Sequence, residues 1–176
     1  MLQQVRRIIT ANNDEGRSYI LSDAPSPHVV ETAPDRGLID LWAMFDGGPD
    51  IETLDAADRP VVLSPPRGGN VFRFFQLPPA SASAATQEAA ARVFENMGGA
   101  HLRVANSLDP NMHLTQTIDY IILLKGRVKL VLDKQETILE PFDVVIQRRT
   151  NHAWINMKEE PALMMAVLVD LDTEQG

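Results

Sequence analysis

The sequence of 176 residues contains no cysteine. Disulfide bonds, thiolate metal ligands and cysteine nucleophiles are therefore excluded. No run reaches the roughly 18 consecutive apolar residues that span a bilayer. The N-terminal stretch is charged within its first seven residues and lacks an apolar core of signal-peptide length. Because hydrophobic residues still make up 44% of the chain, a globular share, we expect a soluble, cytoplasmic protein.

Positive charge is scarce in this chain. Lys and Arg total 16 against 24 Asp and Glu, which gives a formal net charge of −8. An acidic surface repels phosphate backbones and anionic lipid headgroups, so neither nucleic acid nor a membrane is an expected partner. Gly68 and Gly69 are followed by neither the Lys-Ser/Thr pair nor the helix of a phosphate loop. The sequence therefore predicts no nucleotide or flavin cofactor.

The first eighty residues contain short runs rich in β-branched and aromatic residues. Residues 5–10 and 17–22 flank a segment of Asn, Asp and Gly, which predicts a β-hairpin. Further strands are predicted over 38–46 and 71–77. The residues 23–36, rich in Pro and Asp, are interpreted as a loop.

One segment has the composition of a helix. Residues 86–97 are rich in Ala and Glu. Thr86 is placed to cap the N-terminus, and Gly98 follows the predicted end. Val93 and Met97 lie four residues apart, so we expect them to bury one face of this helix.

From residue 100 onward the sequence predicts a succession of strands. They cover 101–105, 112–124, 127–132, 137–139, 142–148, 152–156 and 162–170. Many short strands separated by turn signals are typical of a sandwich or barrel. We therefore expect an all-β fold of one structural domain, in which an arm over 1–99, with strands and one short helix, packs on a barrel over 100–176.

Polar residues alternate along two of these strands. In a strand, side chains two residues apart share a face. On the first strand these residues are His113, Thr115, Thr117 and Asp119. On the second they are His152, Trp154 and Asn156. Polar groups on an inward face are costly unless they bind something, so we predict that the two histidines face each other and form the functional pair. Gln147 has the parity to point inward as well.

The region from about 100 to 170 resembles the cupin superfamily, particularly small single-domain cupins of the conserved-barrel type that carry an N-terminal arm. The second cupin motif is matched by Pro141, His152 and Asn156, with Asp143 at the glycine position. The first motif is matched by His113 and Gly126, with Thr115 at its second His and Asp119 at its Glu. The resemblance implies a jelly-roll β-barrel.

The same resemblance implies a metal site. In cupins the motif histidines and the glutamate bind a divalent metal. Carried over to this chain, the ligands are His113, Asp119 and His152, a two-His, one-carboxylate set suited to Fe, Zn or Mn. The alternative is an eroded site, in which Thr115 cannot replace imidazole and the two histidines are hydrogen-bonded in a metal-free pocket.

The favoured hypothesis is a small enzyme that acts on a low-molecular-weight organic substrate. Its catalytic residues are His113 and His152, which hold a metal or exchange protons. Its pocket residues are Thr115, Gln147, Trp154 and Asn156. The expected chemistry is proton transfer beside a carbonyl, as in a lyase, decarboxylase, dehydratase or isomerase, whereas a dioxygenase requires bound iron. The alternative is a non-catalytic cupin that binds or senses a small ligand.

The sequence also predicts a homodimer. Both faces of the strand that contains residues 121–124 are apolar, with Ile121 and Leu123 on one face and Ile122 and Leu124 on the other. A lone small barrel cannot cover both, so one face should meet the arm or another subunit.

Overall fold

The computed structural model describes residues 1–45, 53–83 and 86–171. The last residue of the predicted strand 38–46 and the end of the predicted barrel, 172–176, lie outside the described residues. The strands are β1 (Arg6–Asn12), β2 (Ser18–Pro25), β3 (Val29–Ala33), β4 (Arg36–Met44), β5 (Asn70–Leu77), β6 (Thr117–Lys125), β7 (Val128–Leu132), β8 (Glu136–Leu139), β9 (Val144–Arg148), β10 (His152–Asn156) and β11 (Ala162–Asp170). The helix is α1 (Gln87–Asn96), and two short 3₁₀ turns cover Ala80–Ala82 and Ala100–Leu102.

The strands form three antiparallel sheets. β1 and β2 make a separate hairpin, and β10, β7 and β8 form a three-stranded sheet in that order. The third sheet has six strands in the order β3-β4-β5-β11-β6-β9. Strands of the first eighty residues therefore continue the sheet built by the second half of the chain, through the pairing of β5 with β11. The predicted all-β fold with one short helix is confirmed.

The core lies between the two larger sheets. Alternate residues of β6 and β11 point into it, among them Ile121, Leu123 and Met164, all buried. β6 and β7 are joined by a tight turn at Gly126, whose φ of +102° favours glycine. A Cβ at this position would lie only 2.7 Å from the Cβ of Ala162. The turn therefore depends on glycine for both conformation and space.

The helix forms where the sequence predicts it, and it buries one face in a second apolar cluster. The Thr86 side chain accepts a hydrogen bond from the Ala89 amide at 3.2 Å, which caps the N-terminus. Gly98, just past the end, has a φ of +64°. Val93 and Met97 are both buried in a cluster that also contains Phe94. No helix of the described ranges is long and apolar enough to cross a membrane.

Three predictions for individual segments are wrong. The predicted strand 101–105 is a 3₁₀ turn followed by one bridge residue, Arg103, because Leu102 packs against the helix cluster instead of alternating. The predicted strand 112–124 begins only at residue 117, although His113 makes isolated bridges. The predicted loop 23–36 contains β3, whose β-branched residues pair with β4 despite the nearby prolines.

Candidate functional site

A cavity lies between the six-stranded sheet, the helix and β10. The space inside it that water-sized molecules can reach is about 80 Å³. Leu38, Phe75, Phe94 and Trp154 give it apolar walls. The polar residues on its wall are Thr32, Arg36, Arg73, Gln76, Asn111, His113, Thr115, Asp119 and His152. An apolar cavity with a few convergent polar groups is the usual form of a small-molecule site.

His113 and His152 meet in this cavity, which confirms their predicted placement. The two residues form an isolated antiparallel bridge, with both backbone N–H···O distances at 3.0 Å. Their ring centroids lie 4.4 Å apart. The ring of Phe94 packs on His113 at 4.9 Å, and Trp154 meets His152 edge-on at 5.5 Å. The pair is therefore held by its backbone and by aromatic neighbours.

Both histidine rings are neutral at neutral pH, and each places its Nδ1 beside a backbone carbonyl. Nδ1 of His113 lies 3.0 Å from the Asn111 carbonyl, and Nδ1 of His152 lies 2.8 Å from the Thr150 carbonyl. Burial lowers the pKa of His152 to about 4. Burial and the neighbouring His152 lower the pKa of His113 well below its usual value. Because a carbonyl only accepts, Nδ1 carries the ring proton, and each Nε2 presents a lone pair.

Asp119 is the cavity's acidic residue. Its side chain is 4% exposed, and its Oδ1 has no hydrogen-bond partner in the described part of the chain. Burial raises the pKa of Asp119 to about 6, against smaller opposing effects of the Thr117 hydroxyl and the Arg73 guanidinium. The carboxyl group can therefore gain or lose a proton near neutral pH.

Arg73 is a second fully buried polar residue on the cavity wall. Its Nη2 contacts both carboxylate oxygens of Asp40, at 2.9 and 3.0 Å. Its two terminal nitrogens also donate to the Val62 and Leu63 carbonyls. Its Nε–H has no partner among the described residues. Asp40 thus balances the charge of Arg73, while one donor remains available.

The structure brings together some of the predicted pocket residues and separates others. Thr115 and Trp154 line the cavity. Gln147 does not line it: its amide donates to the Thr150 carbonyl at 3.2 Å and also contacts the Thr150 hydroxyl. Asn156 is also absent from the cavity wall. Its amide donates to the carbonyls of Pro78 and Glu160, at 2.9 and 2.7 Å, so it fastens two loops.

The predicted three-ligand metal set is not formed in the described ranges. No group of three or more His, Cys, Asp or Glu side chains there is arranged to hold a metal ion. Only the two histidines present neighbouring nitrogen donors. The Thr115 hydroxyl, at the position of a cupin histidine, instead accepts a hydrogen bond from Thr117 at 2.6 Å. The residues present therefore do not fit a two-His, one-carboxylate centre.

Sequence reasoning missed the contribution of the N-terminal arm to this site. Arg36, Arg73 and Phe94 line the cavity together with the motif histidines. One signal was available, because Arg73 is a single charged residue within the apolar strand VFRFF. A charge that shares the inward face of such a strand is rare unless it is paired or functional.

Comparison with known proteins agrees with the fold. Residues 101–168 match the sequence model of the cupin domain. A phomopsin biosynthesis cluster protein C′ from Diaporthe leptostromiformis is 44% identical over 63 residues, which cover 34% of this chain and 33% of that protein. The cupin-domain-containing oxidoreductase fogC from Aspergillus ruber is 26% identical over 173 residues, 96% of this chain and 74% of that protein.

Among solved structures, a cupin 2 conserved barrel domain protein from Salinispora arenicola aligns with a TM-score of 0.42 and 15% identity. The alignment covers 81% of this chain and 82% of that one. The chain spans only about a third of the phomopsin relative that it matches. The cupin resemblance is thus supported for residues 101–168, the region that matches the cupin model.

Proposed function

We propose that this cupin is an enzyme that transfers protons on a small organic substrate, with Asp119 as the general acid and base. The observation that carries this proposal is a buried carboxyl group with a pKa of about 6 on the wall of an apolar cavity. A catalytic group works best when its pKa lies near the working pH. Strongly perturbed carboxyl groups in clefts are candidates for this role.

The residues around Asp119 suit proton removal beside a carbonyl. Asp119 takes the proton from carbon, and the electron pair of the C–H bond moves onto the carbonyl oxygen to give an enolate. The Nε–H of Arg73, which has no partner among the described residues, is suited to donate to that oxygen as negative charge develops. The Nε2 lone pairs of His113 and His152 are suited to accept hydrogen bonds from substrate hydroxyl groups. Return of the proton to the former carbonyl carbon, with transfer of the adjacent hydroxyl proton to the enolate oxygen, completes the isomerisation of an α-hydroxycarbonyl compound.

The names of two relatives support an enzyme. Proteins from Aspergillus ruber and Hypocrea virens are called cupin-domain-containing oxidoreductases. When an α-hydroxycarbonyl isomerises through an enediol, the hydroxyl carbon is oxidised and the carbonyl carbon is reduced. Both changes occur within one substrate, so proton transfer alone balances the reaction. Such an isomerisation therefore needs no separate oxidant or reductant.

A hydrogen–deuterium exchange experiment tests the proposal. Dihydroxyacetone and related small hydroxyketones and 2-oxo acids are incubated with the protein in D₂O, and loss of the C–H signal is followed by proton NMR. Asp119→Asn should slow exchange by roughly 10²–10⁴-fold. Asp14→Asn, in the exposed β1–β2 turn, is the matched control and should not change it. Because the carboxylate is the base, the wild-type rate should rise with pH through about 6.

The same experiment separates the enzyme from the alternative, a non-catalytic binding or sensing cupin. That alternative is favoured by the absence of the predicted metal-ligand set from the described residues. Binding of the panel compounds to the wild type without any exchange would support it. Exchange that survives Asp119→Asn would contradict the assigned role of this residue.

We also propose that the chain acts as a cytoplasmic homodimer. The outer face of β6 and β9 exposes four apolar side chains: Tyr120, Phe142, Val144 and Ile146, from 48% to 78% exposed. Tyr120 pairs with Ile146 across the two strands, so the patch is continuous. An exposed apolar patch of this kind indicates a contact surface. Light scattering should give twice the 19.5 kDa chain mass, and Ile146→Lys should shift it towards the monomer.

A further inference from the structure

One cation on the cavity wall forms no ion pair with an acidic side chain of the described residues. Arg36 is the first residue of β4 and is half-buried. Its guanidinium donates to the Asn111 side-chain oxygen at 3.2 Å, and it makes no ion pair with a described carboxylate. The other cavity arginine, Arg73, is paired with Asp40. Arg36 therefore brings to the site a positive charge that no described carboxylate contacts directly.

Burial makes this charge costly. It lowers the pKa of Arg36 to about 10, and the nearby Asp109 only partly opposes that effect. Asp109 does not bond to the guanidinium; its carboxylate accepts from the Asn111 backbone and side-chain amides, at 2.8 and 2.9 Å. An arginine on a cavity wall that no described carboxylate contacts suits an anionic ligand, because its planar fork matches a carboxylate.

Arg36 lies at the histidine end of the site. Asn111 joins the two, since its side-chain oxygen accepts from Arg36 while its backbone carbonyl accepts from Nδ1 of His113. The pKa of His113 is lowered by burial, by His152 and also by the Arg36 charge, which agrees with this proximity. Asp119 instead has Arg73 as its charged neighbour. Different cations therefore act on the two groups, Arg36 on His113 and Arg73 on Asp119.

We infer that the substrate of this cavity is a small carboxylate with an apolar body, whose carboxylate pairs with Arg36 and whose reacting carbon lies beside Asp119. The second half of this inference rests on the proposed function. The apolar body follows from the walls, which Leu38, Phe75 and Phe94 supply. The carboxylate follows from the unpaired guanidinium. The neutral histidines add acceptors for hydroxyl groups beside the carboxylate.

Binding of two matched probes tests the carboxylate without depending on catalysis. Benzoate and benzamide have nearly the same shape and differ in charge. Isothermal titration of the full chain should show that benzoate binds at least about tenfold more tightly, the worth of one charged hydrogen bond. Arg36→Gln should remove this preference. Arg92→Gln, an exposed arginine on α1, is the matched control and should keep it.

Each outcome decides the inference. Equal affinity for the two probes in the wild type, or no binding of either, would overturn it. So would loss of the preference in Arg92→Gln, because the effect would then come from overall charge. If Arg36→Gln does not fold, Arg36→Lys keeps the charge but loses the fork, and it should retain only part of the preference. A preference undiminished in Arg36→Lys would contradict the paired geometry.

Failure of this inference can be distinguished from failure of the proposed function. Neither probe has a proton on carbon beside its carbonyl, so the titration reports binding alone. A benzoate preference that depends on Arg36, together with no deuterium exchange for any panel compound, would reject the enzyme and leave the carboxylate site standing. Exchange that requires Asp119, without any benzoate preference, would reject the carboxylate site and support the enzyme.

Discussion

Two carboxyl groups of this protein, Asp55 and Asp119, have arginine or histidine neighbours but differ in how many donors reach them. Asp55 accepts from both terminal nitrogens of Arg7, at 2.8 and 2.7 Å, from His28 at 2.8 Å and from the Ala57 amide at 3.1 Å. Oδ1 of Asp119 accepts from none of the described residues. Burial acts to raise the pKa of Asp55, but its hydrogen bonds hold that pKa well below the usual range. The pKa of Asp119 is raised to about 6.

The number of hydrogen-bond donors distinguishes Asp55, which forms a structural ion pair, from Asp119, which lies in the candidate site. Asp55 has used its acceptor capacity, and it fastens the β1–β2 hairpin to the sheet through Arg7, which also donates to the Leu41 carbonyl. An isolated two-stranded hairpin is marginal in water, so such an anchor matters. Asp119 keeps acceptor capacity inside a cavity. An unsatisfied buried polar atom needs an explanation, and a ligand supplies it.

Removing the charge of Asp55 is expected to have the largest effect on stability. Asp55→Asn should lower the free energy of unfolding by about 3–4 kcal/mol, since it leaves the Arg7 guanidinium, 10% exposed, without its counter-ion. Urea unfolding at neutral pH measures this change. Asp58→Asn, an exposed residue of the same loop, should change the stability by less than about 0.5 kcal/mol. Equal effects of the two variants would mean that the anchor is unimportant.

Removing the charge of Asp119 should instead raise the free energy of unfolding. Its pKa is raised from 3.8 to about 6 on folding. The stabilisation from the protonated acid is complete below about pH 3.8 and is lost as the pH rises through about 6. Asp119→Asn imitates the protonated form. At pH 8 it should therefore raise the free energy of unfolding by up to about 3 kcal/mol, because each pKa unit corresponds to about 1.4 kcal/mol.

The pH dependence provides the check on this second prediction. At pH 4, urea unfolding should show little difference between Asp119→Asn and the wild type. The histidine pair makes the free energy of unfolding depend on pH in the opposite direction, because the pKa of His152 falls to about 4 on folding. The wild type and Asp119→Asn share this effect, so it does not change the difference between them. Destabilisation by Asp119→Asn at pH 8 would show that the ionised carboxylate is satisfied in the folded protein.

Elements with local signals could be predicted from the sequence. The helix follows from Thr86 and Gly98, which mark its ends. The strands after residue 126 lie within two residues of their predicted bounds, because turn residues separate short β-branched runs. The meeting of His113 and His152 follows from strand parity and the cupin resemblance.

The rest of the site depends on contacts that are distant in the sequence. β5 reaches the cavity by pairing with β11, so the role of Arg73 could not be derived from its local pattern alone. Parity predicted that Asn156 would join the pocket, yet its position at the end of β10 lets it bond to loop carbonyls instead. Arg36 is the first residue of β4 and follows β3, which was predicted from the sequence to be part of a loop. The Pro-rich composition of residues 23–36 led to that interpretation, so neither β3 nor Arg36 was recognised.

Loss of the His28 hydrogen bond to Asp55 should have the smallest effect on stability. His28→Gln removes one of the four hydrogen bonds to this carboxylate but leaves both bonds from Arg7. Because the ion pair stays intact, the free energy of unfolding should fall by only about 1 kcal/mol. His101→Gln, at an exposed histidine, should leave it unchanged. A loss in His28→Gln as large as that in Asp55→Asn would show that the imidazole, rather than the guanidinium, holds the hairpin anchor together.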